Sequence, residues 1–587
     1  MSGEALTALQ GFNTPIEKAE CITHYWKEWD SIREPAITKW REIEAYRYAT
    51  DTSSLPSNSS AFTHSTHTPV AAAIAQDLEA IILQVTVPHD DWFTFEPMDA
   101  VAARKEQRKT IVSYLKNRHA LSGFMDEVCK LRSDLVTYGN CFSMVYHTDE
   151  SKGEREGYVG SKVRRISPYD IVFDPTGSDF VNAPKIIREI VSLGELKRRG
   201  DKGELDGLVV DNLLRDRGNY SSQDSGEDKN EQYVPLGFGT YQQYITSGFV
   251  ELLWYYGDVY DALTQELYES KMFVVADQEH VLLDGDIQTV DGKAHIYQSV
   301  WQKLPDNLWG MSPLENIIGL NYQINHRENA KSEALDRLIY PDKVYVGDVE
   351  EMFDDETGQV TYLAPEGGGV NELAINTQFF SFDLHIDRLT HSARGAARLP
   401  SDLTGFRSQG EKTLGEVTAL TEGGMRGFVD KAADFERTTL EKILSAEIEL
   451  AHTHFGAAFS VPNKSESGFI EMLNVTKEDL AIKGVLIPKG SKRFARKNQL
   501  LSSLTQLSAT PLAQLAMTHI SGKGAASLMA ELLEVQDMGL FEEFAQITEG
   551  GEAQQIANSI EQSNAIAASQ PSTDEMMIDQ EMEMLQQ

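Results

Sequence analysis

Three clusters of charged residues are the features whose residue types and spacing could do chemistry. Residues 340–375 hold nine acids and one base, residues 388–412 hold five bases and two acids, and residues 489–497 hold five bases. Carboxylate clusters bind basic partner surfaces, and clusters of Lys and Arg bind phosphates. We therefore expect charge recognition at these places.

The acidic cluster lies on a short predicted β unit with an acidic turn, DVEEMFDDETG. Its candidate partner-binding residues are Asp348, Glu350, Glu351, Asp354, Asp355 and Glu356. One interpretation is docking to basic partner surfaces, and the other is mere solubility. We favour docking because the acids are concentrated on one exposed β unit.

The two basic clusters stand out in a very acidic chain. The first comprises Arg388, Arg394, Arg398, Arg407 and Lys412, opposed by Asp402 and Glu411. The second comprises Lys489, Lys492, Arg493, Arg496 and Lys497. It precedes residues 498–587, which hold thirteen acids and one base. The first cluster is a local inversion of charge within an acidic chain.

Motifs of catalysis and cofactor binding are missing from the sequence. No phosphate-binding loop G-x-x-x-x-G-K-[ST] occurs, and the pair Gly237 and Gly239 lacks the third glycine of a dinucleotide fingerprint. His452 and His454 are two apart on a predicted helix, and His64 and His67 have no nearby acidic or cysteine partner in the sequence. We predict no catalytic residue, no metal and no cofactor.

Composition narrows the class of protein further. The chain has 587 residues, room for several packed units, with 90 acids against 53 bases and a net charge of −37. That charge argues against a protein that coats DNA, although an acidic channel wall would keep a polyanion mobile; the alternative is simple solubility. Having only three cysteines favours a reducing compartment. The sequence has neither an apolar run long enough to span a membrane nor the pattern of a signal peptide, so we expect a protein that is neither membrane-spanning nor secreted by a signal peptide.

The elements that must position these clusters alternate between helical and mixed regions. Apolar spacing predicts a helix in the first 50 residues, built on Trp26, Trp29, Ile32, Ile37, Trp40 and Ile43. Helices are predicted at 70–86 and 109–137, the second ending at Gly139 and Asn140. Short β runs separated by turns occupy 141–300. The fold class is therefore α+β.

A helix is predicted at 312–339, with Ser312 and Pro313 at its start. Its middle is polar, which suggests that it crosses open space and packs loosely against copies of itself. A second helix is predicted at 378–398, a loop at 399–412, and a very long helix from 413 to about 455. Glycines at 423, 424 and 427 favour a kink in that long helix.

Four stretches, in this order, resemble the portal proteins of tailed bacteriophages, most of all those of short-tailed phages. They are DLVTYGNCFSMVY (134–146), ISPYDIVFDPTG (166–177), LWGMSPLENIIGLNYQINHRENAKSEALDRLIYPDKVYV (308–346) and FRSQGEKTLGEVTALTEGG (406–424). The resemblance covers nearly the whole chain. The Gln- and Met-rich C-terminus also fits.

The resemblance implies a portal-like fold assembled as a ring of about twelve subunits. Its parts would be an α+β wing (1–310), stem helices (311–339 and 378–398), a β clip (340–377), a tunnel loop (399–412), a long kinked helix with the wing return (413–490) and a helical crown (491–587). Arg394, Arg398, Arg407 and Lys412 would meet DNA in the channel. Alternatively, these arginines pair with carboxylates of neighbouring subunits.

The function implied is passage of double-stranded DNA through one capsid vertex during packaging and ejection. The implied partners are terminase, a tail adaptor, and the major capsid and scaffolding proteins, with no membrane. The implied location is the virion, after assembly in the host cytoplasm. Two alternatives stay open: a nucleic-acid-processing enzyme, and a capsid or scaffold shell protein.

Overall fold

The computed structural model has the mixed α+β architecture that the sequence predicts. It describes residues 12, 14–48, 64, 66–87, 92–98, 105–151, 157–177, 179–216, 239–246, 248–261, 263–339, 343–346, 350–353, 360–363, 369–372, 382–399, 427–456, 459–464, 470–481 and 484–492. All of these belong to the first of the two units into which the chain divides, residues 1–495. No helix among them is long and apolar enough to cross a membrane.

Four helices precede the first long strand: α1 (Pro15–Arg47), α2 (Val70–Thr86), α3 (Lys105–Ser122) and α4 (Phe124–Tyr138). Helix α1 starts with a capping box, in which Thr14 and Glu17 each accept the other's backbone N–H through the side chain. The predicted stripe of α1 is buried, including Trp26 and Trp40, except that Ile32 is 49% exposed. The helix prediction is confirmed, although Ile32 does not share the buried side of the other five apolar residues.

Two glycines divide this region. The sequence predicts one helix over 109–137, but the structure breaks it at Gly123, whose φ of +73° belongs to the left-handed region. The predicted stop is confirmed at Gly139, where φ is +70°. A Cβ at Gly139 would lie 2.4 Å from the carbonyl carbon of Met311, so close approach of two chain segments also requires glycine there.

Two antiparallel sheets occupy the region where β runs are predicted. The strands are β2 (Asn140–Asp149), β3 (Val159–Ile166), β4 (Ile171–Phe173), β5 (Lys185–Ser192), β6 (Phe249–Asp261), β7 (Glu266–Ala276), β8 (His280–Asp286) and β9 (Ile296–Val300). One sheet has the order β3-β2-β9 and the other β4-β5-β6-β7-β8. Phe142, Ile187 and Tyr256 belong to the buried cluster between them. Helices α5 (Leu193–Asp201), α6 (Gly207–Asp216) and α7 (Tyr241–Thr246) lie between β5 and β6 in the chain.

A helix, a small β unit and a second helix follow. After the hairpin of β10 (Gln302–Leu304) and β11 (Asn307–Met311) come α8 (Glu315–Ile339), β12 (Lys343–Val346), β13 (Glu350–Phe353), β14 (Val360–Leu363), β15 (Gly369–Glu372) and α9 (Phe382–Ala396). The antiparallel pairs β12–β15 and β13–β14 are nested in the chain, the second inside the first. We call α8 and α9 together the helix pair.

The last described part returns to the first. A helix at 427–435 passes through a π-helical turn, Glu436–Leu440, into α10 (Glu441–Thr453). Then come β16 (Phe459–Lys464), β17 (Ile470–Val475), α11 (Lys477–Leu480) and β18 (Gly484–Pro488). Strand β18 pairs with β1 (Phe93–Pro97). The predicted long helix is present from 427 onward; the glycines at 423 and 424 lie outside the described residues.

Two large apolar clusters join these elements. One unites α1, α2, the helix pair and Phe428 of the long helix. The other unites α3, α4, α10 and strands β1 and β18. We call residues 12–311 and 427–492, as far as they are described, the α+β body. The helix pair therefore packs against the α+β body through apolar contacts.

Candidate functional site

The start of α8 is held by hydrogen bonds from Ser312. Its hydroxyl donates to the carbonyl of Val136 (2.8 Å) and accepts from the N–H of Leu314 (3.0 Å). Its own N–H donates to the carboxylate of Glu315 (3.2 Å). The regular helix begins at Glu315, two residues later than the predicted Pro313. Ser312 is 1% exposed, so the exit of α8 from the body is a buried, fixed point.

Asparagines form a regular ladder along the polar middle of α8. Asn321, Asn325 and Asn329 are four residues apart and therefore share one helix face. The side chain of Asn321 accepts the N–H of Ala71 (3.0 Å), and that of Asn325 accepts the N–H of Thr68 (2.9 Å). Asn329 makes the same kind of contact one turn further along.

This ladder corrects the interpretation that the polar middle crosses open space. The segment 66–71, which leads into α2, covers that face, and Asn321 and Asn325 are 1% and 6% exposed. His64 extends this contact through a hydrogen bond between its ring and the carboxylate of Asp336. The sequence near His64 holds no acidic residue, so this partner comes from a distant segment. These three asparagines are therefore used inside a single chain, as acceptors for backbone groups.

Helix α9 packs on another face of α8 and runs antiparallel to it. Lys331, late in α8, pairs with Asp383 at the start of α9. Ile324 joins Ile386 and Leu389 in the shared apolar cluster. This packing buries one side of α9 and leaves its other side exposed.

Burial ends about halfway along α8. Asn325 is its last buried residue, and every residue from Asp336 to Ile339 is exposed. Leu338 is 45% exposed and Ile339 66%, and Leu384 of α9 is 75% exposed. At 1.5 Å per residue, the last 14 residues of α8 extend about 21 Å past the last buried side chain. Large apolar side chains are thus left uncovered at the far end of the helix pair.

A groove of about 340 Å³ lies between the two helices. It is lined by Arg327, Phe382, Leu384, His385 and Arg388. Neither guanidinium has an acidic partner among the described residues, and the Nε–H of Arg327 is buried without an acceptor. A buried donor without an acceptor costs about 1–3 kcal/mol. This arrangement can accept an anionic group.

Of the predicted channel residues, the structure describes only Arg394 and Arg398, so their role in a channel stays a prediction. Arg394 is half-buried near Asp77; burial raises the pKa of that carboxyl, and the charge of Arg394 opposes the rise. Arg398 is exposed and ends α9 with a φ of +59°. Arg407 and Lys412 lie outside the described residues.

The acidic cluster is described only in part. Glu350 and Glu351 lie in β13, opposite Leu363 and Tyr362 of β14. The remaining candidates lie outside the described residues: Asp348, Asp354, Asp355 and Glu356. Its docking role stays a prediction.

Two residues of the second basic cluster are described, Lys489 and Lys492, and both are exposed. Between them, Ser491 donates its N–H (2.8 Å) and its hydroxyl to the buried carboxylate of Glu436 in the π-helical turn. Burial raises the pKa of Glu436, while the bonds from Ser491 lower it. Arg493, Arg496 and Lys497 lie outside the described residues.

Sequence reasoning missed the groove. It placed Arg388 in the first basic cluster but not among the residues that would meet DNA, and it did not single out Arg327 or His385. Nothing in the spacing signals them, because 327 and 385 are brought together only by the packing of α9 on α8. The asparagine ladder did carry a signal, the repeat of one residue type at positions 321, 325 and 329.

No group of three or more His, Cys, Asp or Glu that could hold a metal ion occurs in the part of the chain that the structure describes. No model of a known protein family matches this chain, and no curated protein is significantly similar to it. The function must therefore be argued from the residues and their arrangement.

Proposed function

We propose that this chain is the subunit of a bacteriophage portal, a ring through which double-stranded DNA enters and leaves the capsid. The observation that carries the proposal is the out-and-back path of residues 315–396. Helix α8 leaves the α+β body, a nested pair of two-stranded units follows, and α9 returns antiparallel to α8. Such a projection could line a channel when copies stand side by side.

Exposure supports assembly through this projection. Leu338, Ile339 and Leu384 are large apolar residues left uncovered on it. Each fully covered side chain of this size contributes about 1.5–3 kcal/mol. Neighbouring copies would cover them in a closed ring.

The chemistry of the chain supports passage of DNA and not its cleavage. The net charge of −37 would repel a polyanion and so keep it mobile. Phosphate contacts by basic residues of the channel would carry no sequence information, which suits a wall that must pass any genome. The acidic β unit would dock the packaging motor and then the tail adaptor.

Electron microscopy of the nuclease-treated protein in negative stain tests this proposal. We expect rings with a central hole for wild type. We expect the double variant Leu338→Ser, Ile339→Ser to assemble about tenfold or more weakly, because its apolar contact is lost. The matched control replaces Leu208 and Val290, which are 78% and 86% exposed in the α+β body. Substituted by Ser, they should leave rings intact.

Three results would contradict the proposal. A monomer at micromolar concentration would exclude a ring. Closed shells would favour a capsid or scaffold protein. Divalent-dependent cleavage of DNA by the purified chain would favour a nucleic-acid enzyme.

A further inference from the structure

The groove between α8 and α9 differs from the other basic sites of the helix pair. Lys331 pairs with Asp383, and Arg337 pairs with Glu333 at 3.0 Å. By contrast, Arg327 and Arg388 have no carboxylate within ion-pair distance among the described residues. In a chain with 37 excess negative charges, two adjacent unpaired guanidinium groups are conspicuous. They leave an anion-binding site unfilled by any described residue of the chain.

The walls of the groove indicate what kind of anion it takes. Phe382 and Leu384 flank the basic groups, and Leu384 is 75% exposed. A DNA backbone is polar and charged and has nothing to cover an exposed leucine. A protein surface can present a carboxylate beside apolar groups. The groove therefore suits a carboxylate side chain better than a phosphate.

Helix α9 itself carries a matching carboxylate. Asp387 is exposed and has no ion-pair partner among the described residues. Leu384 and His391 are seven residues apart and form an exposed ridge along α9. Because successive residues of a helix turn by about 100°, Asp387 lies on one side of this ridge and Arg388 on the other. Asp387 and the groove with Arg388 therefore lie on opposite sides of α9, which we call the Asp387 flank and the groove flank.

Copies arranged around a closed ring meet through two different surfaces. The Asp387 flank of one copy can then face the groove flank of the next. We propose that Asp387 of each copy enters the groove of the adjacent copy and binds Arg327 and Arg388. The groove is a site that one subunit leaves incomplete and its neighbour completes. This inference rests on the ring of the proposed function, but not on what passes through the ring.

Charge exchange between the two flanks tests the pairing. The variants Arg388→Glu and Asp387→Arg are compared with the double variant that carries both changes. Assembly of the full-length, nuclease-treated chain is measured by mass photometry across a concentration series at low and high salt. Each single variant should raise the concentration for half-assembly by about tenfold or more at low salt, because like charges then meet. The double variant should restore part of the assembly, since opposite charges meet again at positions 387 and 388 while Arg327 keeps its own positive charge.

The matched control is Arg437→Glu, which makes the same change of charge at an exposed arginine of the α+β body. It should assemble as wild type does. Equal weakening in this control would overturn the pairing, because net charge alone would explain the effect. Circular dichroism of every variant should match wild type, since all three side chains are exposed.

The remaining outcomes separate this inference from the proposed function. A monomeric wild-type chain would overturn the ring itself. Wild-type rings with unchanged assembly in both single variants would overturn only the pairing. A groove that binds DNA phosphates would also overturn it: Arg388→Glu would then weaken binding of a DNA duplex, and both single variants would assemble normally.

Discussion

Two arginines of the α+β body and two arginines of the helix pair differ in how completely the described residues satisfy them. In the body, Arg165 forms two bonds to Asp134, at 2.5 and 2.8 Å. Arg188 binds Asp170 at 2.9 and 3.1 Å. In the helix pair, Arg327 and Arg388 have no carboxylate partner among the described residues.

This difference shows which charged groups find their partners among the described residues of one chain. A buried charge is tolerated when it is paired and hydrogen-bonded, and Arg165 and Arg188 meet that condition within one chain. The helix pair has unpaired basic groups and exposed leucines on one projection. Its partners are not among the described residues of the chain.

The largest expected effect comes from breaking a completed pair in the body. In the variant Asp134→Ala, Arg165 loses both bonds while staying largely covered. We expect a local loss of about 2–3 kcal/mol, below the full cost of breaking a buried pair because Arg165 is 30% exposed. Native-state hydrogen exchange of the β2–β3 amides measures it.

The same measurement tests the comparison. The loss should be equal in dilute protein and in assembled rings, because the pair lies within one chain. Asp126→Ala, an exposed change on the same helix, should cost less than about 1 kcal/mol. A loss that depends on protein concentration would show that the body too is completed by its neighbours.

A smaller effect is expected where the helix pair meets the body. Asn321→Ala removes the acceptor for the N–H of Ala71 in a buried site, which costs about 1–2 kcal/mol. Asn329→Ala removes a similar bond at a more exposed place and should cost less than about 1 kcal/mol. Hydrogen exchange at the start of α2 measures both.

Comparing these two asparagine variants shows whether burial decides how strongly α8 holds segment 66–71. If both variants loosen α2 equally, burial does not decide the strength of the ladder. If neither does, the ladder is not what holds segment 66–71 against α8.

The smallest expected effect is a pH dependence at Glu436. Burial raises its pKa, so the folded chain favours the protonated carboxyl. That contribution is fully present below the ordinary pKa of Glu, about 4.3, and is lost as pH rises through the folded-state pKa. In Glu436→Gln the side-chain amide can still form hydrogen bonds with Ser491 but does not titrate. The variant should therefore be about as stable at every pH as wild type is at acidic pH.

Thermal midpoints of wild type and Glu436→Gln, measured from pH 4 to pH 8, test this sign. The difference should favour the variant increasingly as pH rises. A wild type that gains stability relative to the variant over that range would mean that the bonds from Ser491 outweigh burial.

The sequence by itself determined the kinds of element and their order. Apolar spacing located α1, α2 and α9, because a buried helix face needs a period of 3.6 residues. Ser312 and Pro313 marked the start of α8. Short β runs located the strands of both sheets, since they require alternation and turns. Gly139 marked the end of α4 because only a residue without Cβ fits its φ and its distance from Met311.

Only the tertiary structure decided which side chains meet. Residues 64–71 and 321–336 lie 250 or more positions apart, so no local pattern could pair them. The same holds for Arg327 and His385, which share a groove only because α9 packs antiparallel on α8. Local spacing specifies helices and strands through backbone geometry, whereas contacts between distant segments depend on how those elements pack together. For that reason the polar middle of α8 was misread from the sequence, and the groove was missed.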